Sequence, residues 1–126
     1  MGDRGNVVIH QHNDELIYLY THWGGSELPF TVQRALAKRW RWEDESYLAR
    51  IIFDAITEGF HGTETGFGIA TYPCDNEYSM IVVNPSKQTV GFAHEKSVPI
   101  CYKTWKFEEY VFASKKTLEQ IFNVGE

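Results

Sequence analysis

The chain has 126 residues, 43% hydrophobic and 15% aromatic, with 12 basic and 17 acidic side chains and a net charge of -5. That composition excludes a disordered polymer and predicts one globular domain over residues 1–126, long enough for a core of its own. The acidic balance speaks against non-specific nucleic-acid binding driven by phosphate neutralisation, and its even spread against a nucleic-acid mimic.

The longest apolar runs, "LIYLY" and "MIVV", are too short to span a bilayer, so no membrane partner is expected. The start "MGDRGNVVI" lacks a signal pattern, and Asn6 stands where a myristoylation motif needs Ser or Thr. A cytoplasmic protein is expected, with Cys74 and Cys101 as reduced thiols because no CxxC or secretion signal accompanies them.

In chain order, "NVVIHQ" and "LIYLYTH" flank the turn cluster "HNDE" and predict a β-hairpin. A two-residue turn at Asn13 and Asp14 sets Gly5 opposite His22 and His10 opposite Ile17. Tyr18, Tyr20 and His22 then share a face with Val7 and Ile9. A helix over residues 28–41 follows, with Pro29 in its first turn and Leu28, Val32, Ala35, Leu36 and Trp40 as its apolar stripe. Asp44 is a good N-cap and Gly59 a good stop for a second helix. In this helix Leu48, Ile51, Ile52 and Ile56 are predicted to be buried.

Strands resume after "HGTETGFG" as "FGIATY", "YSMIVVN", "TVGFAH" and "VPICYKTW". The clusters "PCDN" and "NPSK" between the first three predict an antiparallel meander. "KFEEYVF" fits either a strand or a helical turn, and a short helix over residues 115–123 buries Leu118, Ile121 and Phe122. The expected fold is α+β. It has a mostly antiparallel sheet of four to six strands with two central helices on one face, in the order ββαα, β-meander, terminal α.

The chemistry is sparse. His10 and His12 have the strand spacing of metal ligands, but His22 lies about 16 Å along the hairpin, so no metal site is expected. "LYTHWGGSELP" carries a strand straight into a helix start. There Trp23, Gly24 and Gly25 could wall a concavity with Tyr18, Tyr20 and His22, beside unpaired N–H groups that suit a small anion or an acidic side chain. A filled corner plugged by Trp23 is the competing expectation. Arg34, Lys38 and Arg41, from "RALAKRWRW", fall on one helical face that could meet phosphates or an acidic partner surface; most such stripes are simply solvated. No GxSxG, GxxxxGK[ST] or cysteine–base set is present. A hydrolase or nuclease would have to use His22 as base with Glu64 or Asp75 as partner or metal ligand. The reading favoured is a binding protein without cofactor, with self-association left open.

The blocks "GDRGNVVI", "LYTHWGGSELP", "YLARIIF", "ETGFGI", "DNEY" and "WKFEEYV" together resemble a group of small, functionally uncharacterised proteins encoded by phages, prophages and bacteria. The resemblance covers most of the chain, and "LYTHWGG" is its most specific element. His10 and His12 fall outside the shared pattern, and the stretch over residues 92–103 is longer here. It implies a genomic setting and no catalytic residue. In that setting the expectation is an accessory protein that binds a host protein, a defence component included in the manner of an anti-CRISPR, or that sequesters a small anionic ligand.

Overall fold

A computed structural model describes residues 2–124. The strands are β1 (Gly5–His10), β2 (Leu16–Thr21), β3 (Phe67–Ala70), β4 (Met80–Asn84), β5 (Thr89–Ala93) and β6 (Lys103–Lys106). The helices are α1 (Leu28–Ala37), α2 (Glu45–Ile56), α3 (Phe107–Phe112) and α4 (Lys115–Val124). The strands form one mixed sheet in the order β3-β2-β1-β4-β5-β6. Only β1 and β4 run parallel; the other pairs are antiparallel. The fold is therefore α+β, as expected.

Alternation along the strands sorts the core into two layers. Val7, Ile9, Leu19, Ile81, Val83, Val90 and Phe92 join buried residues of all four helices in the larger one. Leu48, Ile51 and Ile52 of α2 are buried there, while Ile56 at the helix end is half-buried. Asp44 caps α2 by accepting from the Tyr47 N–H (3.1 Å), and Gly59 turns the chain with φ of 85°. The opposite face carries Val8, Tyr18, Met80, Val82 and Ala93, against which Val98 and Cys101 pack. The long stretch before β6 thus covers the second face of the sheet.

Three expectations are corrected. The hairpin loop has three residues rather than two, because Asp14 adopts φ of 67° while the Gln11 N–H donates to Glu15 O (3.0 Å). The register is therefore Gly5↔Thr21 and His10↔Leu16. A slip of one residue exchanges the faces. Tyr18 and Tyr20 stand opposite Val8 and Asn6, away from Val7 and Ile9.

Strands β3, β4 and β5 do not form a meander. Strand β3 pairs with β2 at the sheet edge, and residues 71–79 carry the chain across to β4 on the far side of β1. The "PCDN" cluster is a strap held by buried Asn6, whose Nδ2 donates to Cys74 O (3.4 Å), Asp75 O (3.2 Å) and Asn76 Oδ1 (3.2 Å). Strands β4, β5 and β6 do form a meander.

Helix α1 ends at Ala37, not at residue 41. Arg39 takes φ of 59° and donates its N–H to Leu36 O (3.0 Å), closing the helix in a left-handed turn usually made by glycine. The Trp42 indole N–H also reaches Leu36 O (3.0 Å), and its ring lies edge-on to Phe107. Trp42 therefore fills the inward position assigned to Trp40, which is left 57% exposed. "KFEEYVF" resolves as α3, whose buried Tyr110 donates to Pro29 O (2.7 Å) at the start of α1.

Candidate functional site

The strand-to-helix corner is built by three segments far apart in the chain. Residues 22–27 leave β2 and enter α1 through a short 3-10 turn, Gly25–Glu27. The Gly25 N–H donates to Asp3 O (2.7 Å), and the Ser26 N–H and Oγ–H donate to the Asp3 carboxylate (3.2 and 2.7 Å). Tyr78 donates to the same carboxylate. Arg4 closes the clasp: its N–H donates to Glu77 Oε1 (2.7 Å) and its guanidinium to Asp75 (3.2 Å).

The anion that a helix start attracts is therefore supplied by the chain itself. Burial pulls the Asp3 carboxyl up, but hydrogen bonds from the Ser26 hydroxyl, Tyr78 and the Ser26 N–H outweigh it and hold the group below its ordinary range. The hydrogen bond to Asp3, with burial, pushes the Tyr78 hydroxyl up to about 12. The Arg4 N–H leads the interactions that hold Glu77 low.

Trp23 is 46% exposed and lies over Gly66, packed against Phe60 and Phe67 with ring centroids 6.1 and 5.7 Å away. A Cβ on Gly66 would come within 2.2 Å of the indole, and Gly66 has φ of 101°, so the glycine that seats Trp23 comes from "ETGFG". Neither Gly24 nor Gly25 has a positive φ; that of Gly24 is -123°. Gly25 is needed for room instead. Trp23 is thus neither a deeply buried plug nor joined to the clasp around the helix start.

Tyr18 is buried in the second core layer. Tyr20 lines a cleft of 680 Å³ with Tyr72, Cys74, Asp75 and Glu95. Its hydroxyl hydrogen-bonds His22 Nδ1 (2.9 Å), and burial, with the Asp75 charge, raises its pKa. The other edge of the His22 ring lies against Gly2, where a Cβ would stand 2.8 Å from Nε2. Among the described residues no hydrogen bond or ion pair joins His22 to Glu64 or Asp75. Asp75 is engaged by Arg4, and Glu64 is exposed on the loop before β3.

The strand-spaced pair His10 and His12 parts company. His10 Nε2 meets Asp14 (2.9 Å), whereas His12 Nδ1 meets Glu45 (2.5 Å) at the start of α2. No group of three or more His, Cys, Asp or Glu among the described residues is placed to hold a metal ion. Both cysteines are free. Burial raises both thiols, aided at Cys74 by the Asp75 charge, so neither is poised as a thiolate nucleophile.

The cations of the basic segment are all exposed and differ in their partners. Arg39 pairs through both guanidinium nitrogens with Glu108 (2.5 and 2.7 Å) and sits 5.2 Å from the Trp42 ring. Arg34, Lys38, Trp40 and Arg41 are exposed. Arg34 and Lys38 line a groove of 610 Å³ between α1 and α2, opposite Asp54 and Glu58. Among the described residues neither cation forms an ion pair. Arg41 lies past the end of α1, so the three cations do not share one helical face. Its φ is 56°, its guanidinium stands 4.5 Å over the Tyr47 ring, and Asp44 is 4.0 Å away. Lys38 sits 5.0 Å over Trp40.

The residues that sequence reasoning missed are Asp3, Ser26 and Tyr78 in the clasp and Arg39 with Glu108 at the end of α1. The only signal for the clasp was that Asp3, Ser26 and Tyr78 lie in the blocks "GDRGNVVI", "LYTHWGGSELP" and "DNEY". No described helix is long and apolar enough to cross a membrane. Compared with family models, curated proteins and solved structures, the chain matches none.

Proposed function

We propose that this chain is a non-enzymatic binding protein that engages an acidic surface of a host protein through the basic corner at the end of α1. What carries the reading is the placement of Arg34, Lys38, Trp40 and Arg41, all solvent-facing, on a chain of net charge -5. Exposed cation–π contacts such as those of Lys38 and Arg41 contribute about 0.5–1 kcal/mol and are readily exchanged for a partner's carboxylates. Asp3 already fills the anion position at the helix start, which favours a protein partner over sequestration of a small anion there. The resemblance to small phage and prophage proteins supplies the setting, in which a defence component is a fitting partner.

Backbone energetics point to the same corner. A left-handed non-glycine residue costs roughly 1–2 kcal/mol. Arg39 at least sets a two-pronged surface pair with Glu108 against that cost, whereas Arg41 has only a long contact to Asp44 and an exposed ring. Arg41→Gly is expected to raise stability by about 0.5 kcal/mol, after the extra freedom of glycine in the unfolded chain is subtracted. The same change is expected to weaken partner binding, and urea denaturation beside a binding assay checks both signs. A purely structural Arg41 would lose stability instead.

The deciding experiment is affinity capture from host lysate with the tagged chain, at low and high salt. An acidic protein is expected to be retained at low salt and released as salt rises. Replacing Arg34, Lys38 and Arg41 together by Gln should abolish its capture with the fold intact. An unchanged set of captured proteins, or a co-purifying small molecule as the only catch, overturns the proposal. Loss of a measured catalytic activity in His22→Ala would replace it with an enzyme.

A further inference from the structure

The two edges of the sheet are guarded very differently. Strand β6 exposes Lys103, Thr104 and Lys106, and such lysines keep a sheet edge from pairing with other chains. Strand β3 is Phe-Gly-Ile-Ala, with no charge and with Ile69 61% exposed. Trp23 and Phe60, 46% and 50% exposed, stand with Phe67 beside that edge. An uncharged edge flanked by exposed aromatics is the usual setting for strand addition.

We infer that β3 is a self-pairing edge, through which two copies of this chain join antiparallel about a two-fold axis at Gly68. The backbone alternation supports it. The His22 N–H donates to Gly66 O (2.8 Å), and Tyr20↔Gly68 and Tyr18↔Ala70 continue the register. Gly66, Gly68 and Ala70 therefore direct their backbone groups to β2, while those of Phe67 and Ile69 turn outward. A dyad at Gly68 sets Phe67 opposite Ile69 of the second copy. These outward-facing residues then exchange both of their N–H···O bonds, and the dyad repeats the exchange. All four open groups of the strand are satisfied at once.

The side chains are equally self-complementary. Phe67 and Ile69 lie on the same sheet face as Thr21 and Leu19, so each copy's Phe67, with Trp23 and Phe60 beside it, meets the other's Ile69. The two Gly68 residues face each other on the other side without obstruction, since a Cβ there would meet nothing within 4 Å. At about 200 Å² per large side chain, Trp23, Phe60 and Ile69 leave roughly 300 Å² of apolar surface on each copy. That is over a third of the roughly 800 Å² each partner gives to a standard interface, with the open strand edge beside it. Charge on a chain of net -5 opposes this contact least along a strip without carboxylates, and Phe67–Ala70 is one.

The test is the solution mass of the full chain across a concentration series, by light scattering or sedimentation. Wild type is expected at twice 14.6 kDa. Ile69→Lys, which sets two ammonium groups in the apolar contact, should weaken association by at least about 100-fold. Thr104→Lys on the opposite edge should leave it unchanged. Gly68→Cys keeps the question decidable if Ile69→Lys misfolds. Facing residues at such a site stand about 4.5 Å apart, within disulfide reach. This variant should cross-link to itself under mild oxidation, and faster than wild type with its native Cys74 and Cys101. A monomer at every concentration, a dimer that survives Ile69→Lys in folded protein, or cross-linking no faster than wild type each overturns the inference. So does a wild-type monomer that pairs only with a foreign strand. The basic corner at the end of α1 shares no residue with this edge, so the two proposals fail separately.

Discussion

Replacing Gly25 by alanine should destabilise the protein by about 2–3 kcal/mol, the cost of forcing a methyl group into filled space. The same replacement at neighbouring Gly24 should change stability by less than about 0.5 kcal/mol. The two glycines look alike in the sequence and differ in what surrounds them. A Cβ on Gly25 would lie 2.8 Å from Arg4 C and Asp3 O, backbone atoms that have no rotamer in which to escape. One on Gly24 would meet only Thr21 Oγ1, at 3.6 Å, an ordinary contact. Because Gly25 also donates to Asp3 O (2.7 Å), the added methyl would break the bond that seats the N-terminal segment against the start of α1. Urea denaturation of both variants, read at unchanged slope, checks the contrast. Equal effects at the two positions would show that the close approach of residues 3 and 4 is not what requires glycine.

Asp3→Ala should cost about 2–3 kcal/mol at neutral pH, because it leaves the Ser26 N–H and the Ser26 and Tyr78 hydroxyls without their shared acceptor. Asp3→Asn should recover part of this, since its amide oxygen still accepts. The pH dependence separates the clasp from ordinary packing. The carboxyl is held below its usual value of 3.8 in the folded protein. Its contribution is therefore complete above that value and is lost as pH falls through the lowered folded one. Tyr78 works in the other direction. Its folded value is raised from 10.0 to about 12, so its contribution holds below pH 10 and disappears as pH climbs to about 12. Stability measured against pH should show both losses in wild type and a flattened profile at both ends in Asp3→Ala. A profile of unchanged shape would mean that Asp3 is not the group that couples the two. The variant also empties the anion position at the helix start, so weak phosphate protection appearing only in Asp3→Ala is the expected companion result.

What the sequence determined by itself is the local grammar. Asp44 followed by a stripe at helical spacing and then Gly59 specifies α2, because capping, burial period and a left-handed stop lie within a few residues of one another. The β-rich runs likewise specify strands, except that "VPICYKTW" becomes one only from Lys103, its first five residues lying outside any strand, and the strands with their amphipathic helices specify an α+β fold. The tertiary structure decided whatever depended on a single residue of register or on distant partners. The hairpin slipped by one because Asp14 adopts a left-handed conformation, and that slip moved Tyr18 and Tyr20 to the other face. "PCDN" became a strap rather than a hairpin turn because Asn6 holds it across the end of the sheet. Helix α1 stopped at Ala37 because Trp42 could reach both Leu36 O and Phe107, an arrangement no periodicity announces. The motif that looked most like a site, "THWGG", was divided in the same way: Trp23 went to Gly66 and the aromatic edge, Gly25 to the N-terminal clasp. Spacing along a chain reports which side chains share a face. It cannot report which distant carboxylate will occupy a helix start, because that depends on where the whole chain has room to pass.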